Sequence, residues 1–274
     1  MKVSTFTRYE FKYQITPAVA EAIRARLLRV GLEPDPESVK FPRNTYPVTS
    51  LYFDTPAMDD YHDKAGGFLR RKKIRVRIYA PYLTSESSDV AFSFCRRAPC
   101  DIPTAVGWNG DQDKKQNVTP NSQCPEIWLE KKEKYEMLVS KKRVPLTIEE
   151  YDNLLYGSRL DIVQRAQLFL PLLTHSMRPA AIVRYLREPF VSLHQSRLRI
   201  TFDSAIEACR AHDLRFPALM TPVAKNTVIM EVKFSFGIPY WFKPILSDYD
   251  LRRQSFSKYG EAMEALHRFH PIPR

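Results

Sequence analysis

Five stretches of this sequence place basic residues at every second position, with few acids in phase: Arg8, Glu10, Lys12; Lys73, Arg75, Arg77; Glu130, Lys132; Arg197, Arg199, Thr201, Asp203; and Glu231, Lys233. In an extended strand, residues two apart share a face, so each stretch has one charged side. The other side is apolar: Tyr9, Phe11 and Tyr13 in the first stretch, Ile74, Val76 and Ile78 in the second. For a single strand a wet sheet face is the ordinary explanation. Repetition in five strands, with Arg and Lys in place of a Ser, Thr and Gln mixture, argues for a shared charged interior. A closed barrel would point all of these groups at one axis. Unpaired buried charge is too costly to stand alone, so such an interior needs an anionic ligand, and its few carboxylates are suited to a divalent metal.

The elements that must position these groups are legible from periodicity. Candidate strands run over residues 7–15, 48–54, 73–79, 127–135, 181–186, 197–203 and 227–234, where the apolar period is two. Thr16-Pro17 opens a helix with Val19, Ile23, Leu27 and Val30 at helical spacing, and Gly31 stops it. A capping box at Thr147-Ile148-Glu149-Glu150 starts a second helix that ends near Gly157. A third spans about Ser257 to Phe269, with Ala262, Met263 and Leu266 on its inner side. The pattern predicts one β-rich α+β domain over residues 1–274. Residues 83–126, rich in Ser, Asp, Asn, Pro and Gln, read as an insertion or mobile loop within it.

Composition bounds the partner. The 274 residues carry 42 Lys and Arg against 31 Asp and Glu, a formal charge of +11, which implies an acidic partner such as nucleic acid, a membrane surface or phosphate compounds. No apolar h-region follows the first residues and no run near eighteen apolar residues occurs, so the expected location is cytoplasmic. Cys95, Cys100, Cys124 and Cys209 lack metal-ligand spacing and read as free thiols.

In order along the chain, Arg8-Tyr9-Glu10-Phe11-Lys12-Tyr13, Ser50-Leu51-Tyr52-Phe53-Asp54-Thr55, Arg75-Val76-Arg77-Ile78-Tyr79, Leu129-Glu130-Lys131-Lys132, Tyr185-Leu186-Arg187, Arg197-Leu198-Arg199-Ile200-Thr201-Phe202-Asp203, Glu231-Val232-Lys233-Phe234 and Ser255-Phe256-Ser257-Lys258-Tyr259 resemble the VTC domain. That family is the polyphosphate polymerase branch of the triphosphate tunnel metalloenzymes. The resemblance implies an antiparallel eight-stranded β-barrel with flanking helices, whose tunnel binds a triphosphate with Mn²⁺ or Mg²⁺. It implies transfer of the terminal phosphoryl group of ATP to a growing polyphosphate chain. Carried over by motif, Arg75, Arg77, Lys132, Arg187 and Arg199 are the expected catalytic groups. Lys12 and Lys258 join them in binding phosphate, Lys141 or, from the same strand, Arg143 adds another contact, and Glu231 is the expected metal ligand. The first strand lacks the ExExK form of the wider superfamily, and fewer carboxylates favour the polymerase branch.

Two other readings keep the basic interior: a metal-dependent triphosphatase, and a non-catalytic module for polyphosphate or an inositol pyrophosphate. Nucleic acid fits least well, because the aromatics alternate onto the apolar faces and do not interleave with Arg as stacking platforms. A membrane-protein partner follows only from the resemblance, since polymerases of this branch work beside a channel.

Overall fold

The computed structural model describes residues 9–83, 125–135, 138–157, 177–192, 198–216, 219–235 and 237–269. Most of the expected insertion, together with Arg8, Arg197, Cys95, Cys100 and Cys124, lies outside the described residues.

Ten antiparallel strands form one sheet, with eight of them along its main path in the order β1-β10-β8-β7-β3-β4-β5-β6. Their ranges are β1 Tyr9–Ile15, β3 Tyr46–Asp54, β4 Arg70–Ile78, β5 Ile127–Tyr135, β6 Leu138–Leu146, β7 Arg178–Ser192, β8 Arg199–Cys209 and β10 Val228–Phe234. The short β2 (Leu32–Pro34) adds to β7 and β9 (Thr221–Pro222) to β8. The α+β class and the eight-strand antiparallel path follow the sequence expectation. The end strands β1 and β6 form no ladder with each other among the described residues. Instead, the segment before the last helix runs along the edge of β1: the Gln254 N–H donates to the Lys12 carbonyl at 2.9 Å, and Lys12 Nζ donates to the Phe256 carbonyl at 2.9 Å.

Helices cover the sheet because its outward side is apolar. Helix α1 (Pro17–Arg29) begins where Thr16 Oγ1 accepts from the Val19 N–H, and buries Ala20, Ile23 and Leu27. With α5 (Phe242–Asp248) it packs on Tyr13, Ile200, Phe202, Met230 and Val232, the outward residues of β1, β8 and β10. Helix α4 (Ile148–Tyr156) keeps both hydrogen bonds of its capping box and packs Tyr151 and Leu154 on Ile74, Val76, Ile127 and Leu129.

Helix α6 (Lys258–Phe269) sits differently. It packs Tyr259, Ala262, Met263 and Leu266 on Val48, Tyr52, Val183, Tyr185 and Ile229. Tyr52, Tyr185 and Ile229 are in phase with Ser50, Arg187 and Glu231, so α6 fills one part of the charged side of the sheet and presents its N-terminus to the rest. Two further helices, α2 (Pro36–Val39) and α3 (Asp59–Ala65), complete the described set.

Candidate functional site

The inward side chains of β4 show how the strands build the site. Arg75 stands opposite Glu130 of β5 and Tyr52 of β3, and Arg77 opposite Ser50 of β3. Arg75 donates through Nε and Nη2 to Glu130 Oε2 at 2.9 and 2.7 Å, and through Nη1 to the Tyr52 hydroxyl at 2.9 Å. Arg77 donates to Ser50 Oγ at 3.2 Å, and its Nη1 lies 3.7 Å from the same Glu130 oxygen. Lys141 of β6 reaches the other Glu130 oxygen at 2.6 Å. A carboxylate that is 1% exposed thus serves three cations.

A second cluster is centred on β8 and β10. Arg187 of β7 grips Asp203 in a two-pronged pair at 2.6 and 2.7 Å. Lys258, at the first turn of α6, bridges Asp203 and Glu231 and lies 4.7 Å from the centre of the Tyr185 ring. Glu231 is also met by Lys233 at 3.0 Å, Lys12 at 3.5 Å and Arg187 at 3.6 Å. At the seam between β1 and β5, Glu10 links Lys12 at 3.3 Å with Lys132 at 3.2 Å.

Eight of the nine residues expected from the sequence therefore gather on one face: Lys12, Arg75, Arg77, Lys132, Lys141, Arg187, Glu231 and Lys258. Arg199 lies at the margin, 36% exposed in its side chain, with its guanidinium turned to Asp35 at 3.0 Å. Tyr52, Tyr185 and Asp203 complete the face: Tyr185 is in phase with Arg187 and Asp203 with Arg199, whereas Tyr52 lies on a strand without Lys or Arg and is placed by its ladder pairing with Arg75.

The electrostatics are those of a cation cluster short of counter-charge. Eight inward cations (Lys12, Arg75, Arg77, Lys132, Lys141, Arg187, Lys233 and Lys258) share the carboxylates of Glu10, Glu130, Asp203 and Glu231, and a ninth, Lys73, donates instead to Ser257 Oγ. Burial on its own would raise the proton affinity of each acid, and the cations overcome it. Glu10 is held down at about 2 by Lys132, Lys12 and Lys233, against burial and the repulsion of Glu231. Glu130 is held well below the carboxylate range by Arg75, Arg77 and Lys141, and Glu231 by Lys258, Lys233, Lys12 and Arg187. For the cations the balance can tip the other way. Burial pushes Lys141 down to about 8 despite Glu130, and burial with neighbouring cations pushes Lys73 down to about 7.

As a metal centre this face is incomplete. Among the described residues no group of three or more His, Cys, Asp or Glu side chains is placed to hold an ion. Glu231 could give one ligand, and phosphate oxygens of a substrate would have to give the others, which is how Mg²⁺ commonly binds. No helix among the described residues is long and apolar enough to cross a membrane.

No curated protein matches the chain in sequence. Three solved structures align along most of it. The PH1819 protein from Pyrococcus horikoshii is 11% identical over 96% of this chain and 99% of that one, with a TM-score of 0.45. A candidate adenylate cyclase from Bacillus halodurans is 10% identical over 96% and 99%, with a TM-score of 0.44. The Hippeastrum protein HpAC1, described as a candidate adenylyl cyclase with a dominant triphosphatase activity, is 12% identical over 93% and 94%, with a TM-score of 0.46. The family does not rest on these distant likenesses. The VTC domain pattern matches residues 7–93 and 112–267, a span that includes every strand of the charged face and all but the last two residues of α6. By that match, the chain belongs to the VTC domain family.

Proposed function

We propose that this protein is a phosphotransferase that moves the terminal phosphoryl group of ATP onto a polyphosphate chain lying on the charged face. The observation that carries this reading is the state of the four inward carboxylates. All are paired with cations and all have a lowered proton affinity, so none is suited to take a proton from water near neutral pH. The end of a polyphosphate chain is already ionised and needs no base.

In the transfer, a terminal oxygen of the chain attacks the γ-phosphorus, and the bond from that phosphorus to the β–γ bridging oxygen breaks. ADP leaves with the electron pair and the chain gains one phosphate. Arg75, Arg77 and Arg187 are preorganised by Glu130, Tyr52, Ser50 and Asp203, so their guanidinium groups can meet the charge on the transferring oxygens without moving far. Lys258 and Lys12 offset charge on the flanking phosphates. A divalent ion held by Glu231 and the substrate would add charge neutralisation at the phosphoryl oxygens.

Incubation with ATP and Mn²⁺ or Mg²⁺, resolved on a polyphosphate gel, is expected to give a ladder of chains with ADP. Glu231→Gln is expected to lose most polymer formation at limiting metal. Unchanged synthesis by that variant would remove Glu231 from the metal role. A second reading, hydrolysis of a triphosphate on the same charged face, is the other outcome of that assay. Free orthophosphate without polymer would select it.

A further inference from the structure

Lys73 is the inward residue of β4 one step beyond Arg75, and the functional reading above leaves it without a task. It is half-buried, and among the described residues it has no acid within ion-pair reach. Its Nζ donates to Ser257 Oγ at 2.5 Å and lies 5.8 Å from the centre of the Tyr259 ring. The groups that face it are mostly cationic: Lys12 of β1, Lys132 of β5, Lys64 of α3 and Arg75 of its own strand. The acid on α3 that senses it, Asp60, is held by Lys72 at 3.8 Å. Glu10, the carboxylate of this corner, is divided between Lys12 and Lys132.

Ser257 is the N-cap of α6. Its Oγ accepts from the Gly260 N–H at 3.1 Å as well as from Lys73, so its own proton remains to be donated. The corner thus offers an amine that can take up a proton, a hydroxyl donor and the first turn of a twelve-residue helix, beside the side chains of Lys12 and Lys132.

Resting on the phosphotransferase reading above, we propose that Lys73 and Ser257 form an additional phosphate station beside the arginine cluster, taking one phosphate of an inorganic polyphosphate chain. The arginines must share an incoming anion with the carboxylates they already hold. Lys73 breaks no ion pair when it binds one. The station also couples binding to protons. Burial and four neighbouring cations favour the neutral amine, whereas a bound phosphate favours the ammonium, so at slightly alkaline pH a proton enters with the ligand.

Calorimetric titration of the intact protein with inorganic tripolyphosphate, without metal, tests this. Runs near pH 8 in two buffers of different ionisation enthalpy give the protons taken up. Lys73→Gln is expected to weaken binding about ten- to hundredfold, the usual worth of a hydrogen bond to a charged group. Lys73→Arg, which stays charged, is expected to bind while taking up measurably fewer protons than wild type; protons carried by the ligand itself cancel in that comparison. Thermal melts of both variants separate loss of fold from loss of the station. Wild-type affinity in Lys73→Gln, or wild-type proton uptake in Lys73→Arg, would overturn the inference alone. Absence of tripolyphosphate binding by the wild type would overturn the phosphotransferase reading and the inference together.

Discussion

Single side chains of the charged face carry opposite liabilities. Glu10 has a folded value of about 2 against an ordinary 4.5, so its pairing stabilises the fold above about pH 4.5 and that contribution is lost as pH falls toward 2. Glu130, Asp203 and Glu231 are shifted in the same direction, and a melting series from pH 6 to pH 2 is expected to show steep loss of stability in acid. Asp60 behaves in reverse. Its carboxyl is 1% exposed, neither oxygen has a hydrogen-bond partner, and burial with the nearby Asp54 pushes it up to about 7 from 3.8. Ionising it costs stability progressively as pH rises from about 4 to above 7. Asp60→Asn is therefore expected to stabilise the protein at pH 8 by on the order of 2 kcal/mol, with little gain at pH 4. Equal effects at both pH values in thermal melts would contradict the assignment. The sequence made the basic positions legible because alternation fixes which side a strand residue faces. It could not reveal Asp60, whose burial depends on how α3 docks on β4.

At the scale of elements, α3 and α6 shape the charged face together. Helix α3 has no cap from the residue before it, because the Met58 side chain carries no oxygen to accept from the first N–H groups. Asp54 substitutes from the end of β3: its carboxylate accepts from the N–H groups of Asp60 at 3.0 Å and Tyr61 at 3.1 Å, and from the Tyr259 hydroxyl of α6 at 2.6 Å. Tyr259→Phe removes the buried tie between the helices and is expected to lower stability by about 1 to 2 kcal/mol, read as a drop in the denaturant midpoint. An unchanged midpoint would show that packing alone docks α6. The three longer helices are legible in the sequence, α1 and α4 through their caps and apolar spacing and α6 through its apolar spacing. Helix α3 was not, since Asp59, Asp60, His62, Asp63 and Lys64 leave it no apolar stripe. Strand β6 was hidden by Lys141-Lys142-Arg143 and by Pro145, which belong on an edge strand. Strand β8 outran its predicted end because Ala205, at φ 48, makes a bulge that carries pairing with β7 past the break in alternation.

Across the whole molecule, the outward faces of the sheet meet helices and its inward face keeps more cations than acids, so the fold itself holds repulsion that an anion would relieve. A ligand that binds only the folded chain adds stability in proportion to the logarithm of its concentration over its dissociation constant. Inorganic tripolyphosphate is therefore expected to raise the melting temperature by several degrees, and added salt to diminish that gain by screening. A melting temperature indifferent to tripolyphosphate at low salt would contradict a polyanion site. The central claim is that the charged face transfers phosphate to phosphate and not to water, and it is tested most directly by following γ-phosphate-labelled ATP with Mn²⁺ or Mg²⁺ present. Label is expected in chains longer than three phosphates, with little orthophosphate; label appearing only as orthophosphate would contradict the account.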